Sequence, residues 1–297
     1  MRIGIDLGGT KIEAACLDAT GAIIARERAA TPPNYEGTLD VIVALVGRVE
    51  TLTGKRGTVG VGIPGAANPS TGLIKNANST WLIGQPLAAD LAKRLDREIR
   101  VMNDANCFAI SEAADGAGAG AEVVFGVILG TGVGGGIVVR GRALDGPNLI
   151  AGEWGHTPLP WMTRDELPGP RCYCGRNGCI ETFLSGPGFE QDFARVTGTR
   201  RSSREIVYVA RSGERSAVDA LERYHDRLAR GLAIVIDILD PDVIVLGGGM
   251  SNLPNLPVAV ARLLPKYVFS DTVKTAIVLN QHGDSSGVRG AAWLWQG

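Results

Sequence analysis

The sequence predicts an α/β protein of two lobes, each built on a sheet that begins with a β-hairpin. Apolar strands that end in glycine alternate with helical patterns along the whole chain. The opening stretch "GIDLGGTKIEAACL" also has a counterpart in "GVILGTGVGGGIVV", which starts at Gly126. Both read as a glycine, three residues, a Gly/Thr turn and an apolar run. We interpret them as a weak internal repeat, with coincidence between two glycine-rich turns as the alternative.

The composition limits the classes of function. A chain of 297 residues, 45% of them hydrophobic, can bury the core of one large domain or of two lobes. Its net charge of -1 gives no global field that would favour nucleic acid or an anionic membrane. No apolar run reaches the length of a membrane span, and the chain begins directly with a strand. We therefore expect neither a signal peptide nor a membrane partner, and a cytoplasmic location.

The opening unit is predicted to be a hairpin with a third strand. A strand at Arg2–Leu7 runs into a paired-glycine turn, and "KIEAACLD" is too short for a helix before the next turn. "GAIIARERAA" follows as a further strand. Here the glycines join two strands, whereas in the P-loop and the dinucleotide fingerprint they open a helix.

Strands and helices then alternate up to a linker-like stretch, "DGAGAGAE" (115–122). The predicted order is a helix over 38–53, the strand "GTVGVGIPG", a helix over 86–98, the strand "IRVMND" and a helix over 105–114.

The second half is predicted to start with the repeated hairpin. It continues with helices near 186–195, 203–212 and 215–239, the last of which stops at Asp240-Pro241. The remaining elements are the strands "DVIVLGGGMS" and "TAIVLN" and a final helix in "SSGVRGAAWLWQ".

Three glycine turns that follow strands predict a site for one nucleotide. Turns expose main-chain N–H groups that bind anions, and glycine permits a phosphate to approach closely. Lys11 can supply a positive charge, Thr10 and Thr131 can donate from hydroxyls, and Asp6 can hold Mg²⁺ through water. A single glycine turn is more often only a turn, so the prediction depends on all three.

The pair Asn103-Asp104 ends a strand and opens a helix. Asn and Asp are favoured as helix N-caps, which is one interpretation. In the other, Asp104 accepts the proton of a substrate hydroxyl that attacks phosphorus, while Asn103 orients that substrate. The residues alone leave both open.

A metal site is predicted in "GEWGHTPLPW" with "CYCGRNGC". Cys172, Cys174 and Cys179 lie in one short loop, and His156 precedes them. Thiolates and an imidazole suit tetrahedral Zn²⁺, and four protein ligands make the ion structural. Three unconnected thiols are the alternative.

Two carboxylates flank these ligands. Glu153 lies three residues before His156, and Glu181 lies two residues after Cys179. Held by a metal loop, such groups would accept hydrogen bonds from the hydroxyls of a polyol or sugar, whereas isolated surface glutamates would mean nothing.

Taken together, these motifs resemble the ROK family of sugar kinases. "IDLGGTK", "NDAN", "GTGVGGG", "AGEWGH", "CYCGRNGCIE" and "VIVLGGG" occur in family order over nearly the whole chain. Within that family the chain is most similar to bacterial fructokinases of the mannokinase/fructokinase type, on "KNANSTWLIGQPL", "GEWGHTPLPWM" and "HGDSSGVRGAAWLW".

The resemblance implies an actin-like ATPase (ribonuclease H-like) fold, with two lobes and an interlobe active-site cleft. The lobes would be residues 1–116, with the helix 286–297 packed back on them, and 117–285, with the zinc loop 153–181. It also implies MgATP as the donor and a homodimer. An insertion, "WMTRDELPGP" (161–170), separates His156 from Cys172 more widely than in many members and would be a loop over the sugar site or a partner surface.

The resemblance also assigns the site residues. Asp104 would be the catalytic base, and the sugar would contact Asn103, Asp104, Glu153, His156 and Glu181, with His156 shared with zinc. Gly247, Gly248 and Gly249 would lie near the adenosine. The phosphates would contact two turns, formed by Gly4, Ile5, Asp6, Leu7, Gly8, Gly9, Thr10 and Lys11, and by Thr131, Gly132, Val133, Gly134, Gly135, Gly136, Ile137, Val138 and Val139.

The expected activity is ATP-dependent phosphorylation of the 6-hydroxyl of fructose, with mannose second and glucose weaker. The alternatives are a kinase of glucose or of an N-acetylated sugar, and a sugar-sensing protein that keeps the fold without turnover. Repressor members carry a DNA-binding module ahead of the first motif. That motif starts here at residue 4, so we expect no such module.

Overall fold

The computed structural model describes residues 1–77 and 79–295. Asn78, within one of the fructokinase-like motifs, and Gln296 and Gly297, at the end of the expected last helix, lie outside the described residues. The strands are β1 (Arg2–Leu7), β2 (Lys11–Leu17), β3 (Ile23–Ala30), β4 (Thr58–Ile63), β5 (Ala66–Ala67), β6 (Ile74–Lys75), β7 (Ile99–Asn103), β8 (Val123–Leu129), β9 (Val133–Val139), β10 (Arg142–Ala143), β11 (Val243–Gly247) and β12 (Ala276–Leu279). The α-helices are α1 (Tyr35–Thr53), α2 (Leu87–Leu95), α3 (Asp104–Asp115), α4 (Glu181–Leu184), α5 (Gly186–Thr197), α6 (Ser203–Arg211), α7 (Arg215–Leu239), α8 (Leu256–Leu263) and α9 (Ser286–Trp293).

The first sheet has the strand order β3-β2-β1-β4-β7. β1 and β2 pair antiparallel with Gly4 opposite Ala15, which confirms the predicted hairpin, and β3 continues the antiparallel ladder. β4 pairs parallel with β1, and β7 pairs parallel with β4. The carboxyl ends of β1, β4 and β7 therefore lie at one edge, where ligand-binding residues of α/β sheets gather.

The second sheet has the order β10-β9-β8-β11-β12. β11 pairs parallel with β8 and with β12, and β10 pairs antiparallel with β9. Each of its strands has a counterpart at the same place in the first sheet. This matching order confirms the internal repeat that the two glycine-turn motifs predict.

The chain divides into two compact units. The first comprises residues 1–120, 136–151 and 281–297, and the second comprises residues 121–135 and 152–280. The predicted lobe boundary between residues 116 and 117 stays a prediction.

The core of the first unit follows from the alternation of side chains along β1. Ile3, Ile5 and Leu7 point to one face and are fully buried with α1 and α2. Gly4 lies on the other face, against α9, where a Cβ atom would come within 1.8 Å of the carbonyl oxygen of Val288. This glycine is therefore required by helix packing on the sheet.

The end of α3 holds the start of the last helix. The fully buried carboxylate of Glu112 accepts hydrogen bonds from the main-chain N–H groups of Gln281 and His282 and from the hydroxyl of Ser286. Asp115 contacts Nε2 of His282 at 2.9 Å and forms an ion pair with Arg289. The position of α9 is thus set by polar contacts as well as by packing.

The second unit contains the helices α4 to α8. The long helix α7 buries one face, including Tyr224, whose hydroxyl donates to the carbonyl of Leu184 at 2.8 Å. Among the residues that the structure describes, none of the helices combines the length and apolar character needed to cross a membrane.

Candidate functional site

The first glycine turn joins β1 to β2 and exposes its polar residues. The main-chain N–H of Gly8 donates to the carbonyl of Lys11 at 3.1 Å, and the hydroxyl of Thr31 holds the carbonyl of Gly8 at 2.7 Å. Gly9, Thr10 and Lys11 are exposed. Because Ile5 and Leu7 turn into the core, these two residues offer a ligand only main-chain groups.

Asp6, just before this turn, has an unusual environment. Burial raises the pKa of its carboxyl group to about 6, and the nearby Glu13 adds to that shift while Lys11 opposes it. A divalent cation near Asp6 would stabilise the ionised form of the carboxyl group.

The second turn is shorter than the sequence suggested. The bend comprises Gly130, Thr131 and Gly132, closed by a 2.9 Å hydrogen bond from the N–H of Gly130 to the carbonyl of Gly132, and Val133–Val139 is strand β9. Gly135 and Gly136 belong to that strand, and both must be glycine because their neighbours leave no room for a Cβ atom. A Cβ atom would come within 2.7 Å of the Trp154 ring at Gly135 and within 2.6 Å of the Ala105 carbonyl oxygen at Gly136. Gly130 also takes part in the turn and was not among the residues predicted from the sequence to contact phosphate.

The third turn follows β11 and shares a cavity of about 620 Å³ with the second turn. Gly247 is buried at the strand end, Gly248 has a φ of 83°, and Gly249 faces open space. Two glycine turns of the second unit, far apart in sequence, thus open onto one cavity of the size of a small-molecule site. The cavity is lined by Gly130, Thr131, Gly186, Pro187, Glu190, Ser203, Arg204, Val207, Gly249, Met250, Asn252 and Leu253.

Asn103 and Asp104 form the start of α3 at the carboxyl end of β7. Asn103 is the N-cap, since its side-chain oxygen accepts from the N–H groups of Ala105 and Asn106, and its amide donates to the carbonyl of Gly65 at 3.1 Å. Asp104 accepts from the N–H of Ala105 at 2.8 Å. The capping interpretation is therefore correct for Asn103, and it fixes the backbone that carries Asp104.

The four predicted metal ligands come together in the second unit. One ligand atom from each of His156, Cys172, Cys174 and Cys179 lies within 4.8 Å of every other. The sulfur of Cys172 is 3.6 Å from Nδ1 of His156, and the sulfurs of Cys174 and Cys179 are 3.6 Å apart. Zn–S bonds of about 2.3 Å in a tetrahedron give S–S separations of roughly 3.8 Å, so the set fits a structural zinc ion.

The outer nitrogen of the histidine also has a partner. Nε2 of His156 is 2.9 Å from the hydroxyl of Tyr173, the residue between the first two cysteines, and the two rings meet edge-on. Burial raises the pKa of Tyr173 to about 12, and the nearby Glu181 adds to the shift. A partner on the second ring nitrogen fixes the orientation of a metal-binding imidazole.

The zinc loop and the second glycine turn are interlocked. Trp154 is buried, stacks edge-on against Phe125 and donates from its indole N–H to the carbonyl of Gly134 at 3.0 Å. Glu181 accepts from the N–H of Val133 at 3.0 Å. The segment that carries Glu153 and His156 is thereby attached to the turn that carries Thr131.

The insertion 161–170 is anchored to α7. Its Glu166 is buried and accepts hydrogen bonds from Arg227 and Arg230. The shortest bond from each arginine is 2.8 Å long. Although burial acts to raise the pKa of Glu166, the hydrogen bonds from Arg230 and Arg227 lower it to about 2. Trp161 stacks on Tyr267 with a centroid separation of 5.7 Å. Within the second unit, the insertion is therefore a part of the zinc loop that is held against α7.

A family comparison matches almost the entire chain. The model of the ROK family matches residues 2–297. The N-acetyl-D-glucosamine kinase of Pectobacterium atrosepticum is 40% identical over 299 aligned residues, which cover 99% of this chain and 98% of that protein.

Solved structures agree with this result. A ROK hexokinase from Thermus thermophilus superposes with a TM-score of 0.88 at 30% identity and covers 98% of this chain and 96% of its own. A ROK family glucokinase from Streptomyces griseus, solved in complex with glucose and AMPPNP, gives a TM-score of 0.78 at 30% identity. The superposition covers 99% of this chain and 98% of the glucokinase. These neighbours confirm the expected actin-like ATPase fold.

Proposed function

The chain belongs to the ROK family, and from this premise we propose that it is an ATP-dependent kinase of a six-carbon sugar. The observation that carries the proposal is the 40% identity to N-acetyl-D-glucosamine kinases over 99% of the chain. The cavity that joins two glycine turns supports a nucleotide as the donor.

For the acceptor we rank N-acetyl-D-glucosamine first. Short motifs alone favoured fructose, then mannose, whereas the relatives named above favour the alternative of another ROK hexokinase or a kinase of an N-acetylated sugar. An identity that extends over the whole chain includes the pocket-forming loops, which short motifs sample poorly. Fructose, mannose and glucose remain in the test.

The proposed reaction assigns one chemical role to each predicted group. Asp104 takes the proton from the sugar 6-hydroxyl as that oxygen forms a bond to the γ-phosphorus. The bond from the γ-phosphorus to the bridging oxygen breaks, and ADP leaves. Lys11 and the N–H groups of the glycine turns would offset the charge of the phosphates, and Asp6 would hold Mg²⁺ through water.

The sugar contacts and the zinc site belong to the same proposal. Asn103, Glu153 and Glu181 would accept hydrogen bonds from sugar hydroxyls, and His156, with Nδ1 turned to the metal site, would donate from its Nε2–H group to a sugar oxygen. Zinc on the Cys₃His set would hold the loop between Glu153 and Glu181 in one conformation. We also propose a cytoplasmic location and a homodimer, the latter testable by light scattering.

The test is a coupled assay of ADP formation over N-acetyl-D-glucosamine, N-acetyl-D-mannosamine, glucose, mannose and fructose, with kcat/KM as the measure. The phosphorylated carbon is identified by NMR of the product. We expect the highest kcat/KM for N-acetyl-D-glucosamine and phosphate on its 6-oxygen. Highest kcat/KM for fructose would reverse the ranking, and absence of sugar-dependent ADP formation would overturn the proposed activity.

A further inference from the structure

We propose that Glu190 recognises the ribose hydroxyls of the nucleotide donor, an inference that rests on the proposed kinase function. Glu190 lies on α5 and is half-buried in the wall of the 620 Å³ cavity that the second and third glycine turns share. No sequence motif singles it out.

The position of Glu190 follows from the way α5 begins. The N–H of Gly186, the first residue of α5, donates to the carbonyl of Gly130 at 2.8 Å, so this helix starts at the second glycine turn. Glu190 is four residues further on, on the same face and about 6 Å along the helix axis. If the phosphates of a nucleotide lie at the turn, the next unit along the molecule at that distance is the ribose.

The rest of the wall includes apolar side chains. Val207, Met250 and Leu253 line the same cavity, and Met250 and Leu253 are buried. An apolar surface of this kind suits the faces of a purine. The carboxylate of Glu190 and these apolar side chains therefore line one cavity together with the glycine turns.

The carboxylate is oriented by the neighbouring helix. Oε1 of Glu190 accepts two hydrogen bonds of 2.7 Å, from the main-chain N–H and from the hydroxyl of Ser203 at the start of α6. A carboxylate has about four acceptor sites, so two contacts at Oε1 leave acceptor capacity for a ligand. Among the described residues that line the cavity, Glu190 is the one acidic residue. The other charged residue there, Arg204, can only donate hydrogen bonds.

An acceptor at this place selects for donors on the ligand. The 2′- and 3′-hydroxyls of ribose are such donors, and a hydrogen bond to a charged group contributes about ten- to hundredfold in affinity. The enzyme should therefore prefer ATP to 2′-deoxy-ATP or 3′-deoxy-ATP by about that factor.

The test compares the wild-type protein with Glu190→Gln. The glutamine oxygen can still accept from Ser203, so the tie between α5 and α6 remains, while the second position changes from acceptor to donor. At saturating sugar we expect the ratio of kcat/KM for ATP to that for each deoxy-ATP to fall from about ten- to hundredfold to near one in the variant. The sugar KM and the melting temperature should not change. Glu222→Gln, the same chemical change at an exposed position on α7, should leave the ratio as in wild type.

A binding measurement needs neither a sugar nor a variant. Calorimetry should show that wild-type protein binds ADP about ten- to hundredfold more tightly than 2′-deoxy-ADP or 3′-deoxy-ADP. Equal affinities, or an unchanged ratio in Glu190→Gln with normal sugar-dependent turnover, would overturn the role of Glu190 and leave the kinase function intact. Discrimination against GTP without discrimination against the deoxynucleotides would also overturn it. A wild-type protein that binds ADP selectively but phosphorylates no sugar would instead refute the proposed function.

Discussion

The carboxylate of Glu181 accepts a 3.0 Å hydrogen bond from the main-chain N–H of Val133. Glu181 follows the last cysteine of the zinc loop by two residues, and Val133 follows the second glycine turn. A Cβ atom at Gly132 would come within 2.7 Å of the same carboxylate oxygen. Glu181, which is proposed to bind sugar, thus also holds the end of a turn that is proposed to bind phosphate. This contact connects the zinc loop to the turn.

Two substitutions at Glu181 separate these roles. In Glu181→Ala the N–H of Val133 loses its partner, which costs about 1–3 kcal/mol, so the KM values for sugar and for ATP should both rise by about five- to hundredfold. Glu181→Gln keeps an oxygen that accepts from Val133, so its KM for ATP should stay within about twofold of wild type while the sugar KM rises. Steady-state kinetics with each substrate varied in turn measures both constants. The same KM for ATP in the two variants would show that this hydrogen bond does not position the turn.

The Cys₃His cluster should bind about one equivalent of zinc per chain, as measured by metal analysis of the purified protein. Cys174 is the exposed member of the cluster, so Cys174→Ser removes a ligand without disturbing the core. We expect this variant to lose most of its zinc and to melt several degrees lower, because metal binding stabilises the folded loop.

The matched control for the zinc prediction is Cys16→Ser. Cys16 is a buried thiol on β2, outside the cluster. This variant should retain full zinc even if its melting temperature falls. A wild-type protein that is fully stable without metal would contradict the assignment.

The local patterns were sufficient to predict most of the framework. Turn residues and periodicity placed β1 to β3, and helix α7 occupies the predicted range 215–239. The helix α8 was not predicted, because its eight residues, Leu256–Leu263, are short and include Pro257 in the first turn. Propensity is a weak signal over so short a segment.

The parts of the site that sequence could not supply depend on tertiary contacts. "GTGVGGG" reads as one long turn, yet Gly135 and Gly136 are glycines because Trp154 and α3 approach the strand closely. Glu190 carries no motif, since its role follows from the packing of α5 against α6. The Cys₃His set was readable from sequence because its ligands are close together in the chain and chemically distinctive.

Asp104→Asn tests the proposed base. The asparagine oxygen can still accept from the N–H of Ala105, so α3 should keep its start and the protein its melting temperature. Without a proton acceptor, kcat should fall by about 10²–10⁴-fold while the dissociation constant for sugar changes little. The control is Asp96→Asn, a fully exposed side chain on a residue with a φ of 50°, which asparagine tolerates. A kcat in Asp104→Asn within a few-fold of wild type would rule out this residue as the base.

The anchor of the insertion should make stability depend on pH. Burial acts against ionisation of Asp192, yet hydrogen bonding and charge from Arg227 lower its pKa to about 2, and Glu166 shares that arginine. Because both folded-state pKa values lie below those of the unfolded chain, the stabilisation is fully present above about pH 4.5 and is lost as the pH falls towards 2. Urea unfolding at several pH values measures this loss as a declining free energy of unfolding.

Glu166→Gln should reduce that pH dependence. It breaks a buried network, so at pH 7 it should lower the free energy of unfolding by about 3–5 kcal/mol. The difference from wild type should shrink as the pH approaches 2, because a growing fraction of wild-type Glu166 is then protonated. Glu222→Gln, exposed on the same helix as both arginines, should reproduce the wild-type curve. A constant difference between Glu166→Gln and wild type across this range would mean that the charge of Glu166 does not hold the insertion to α7.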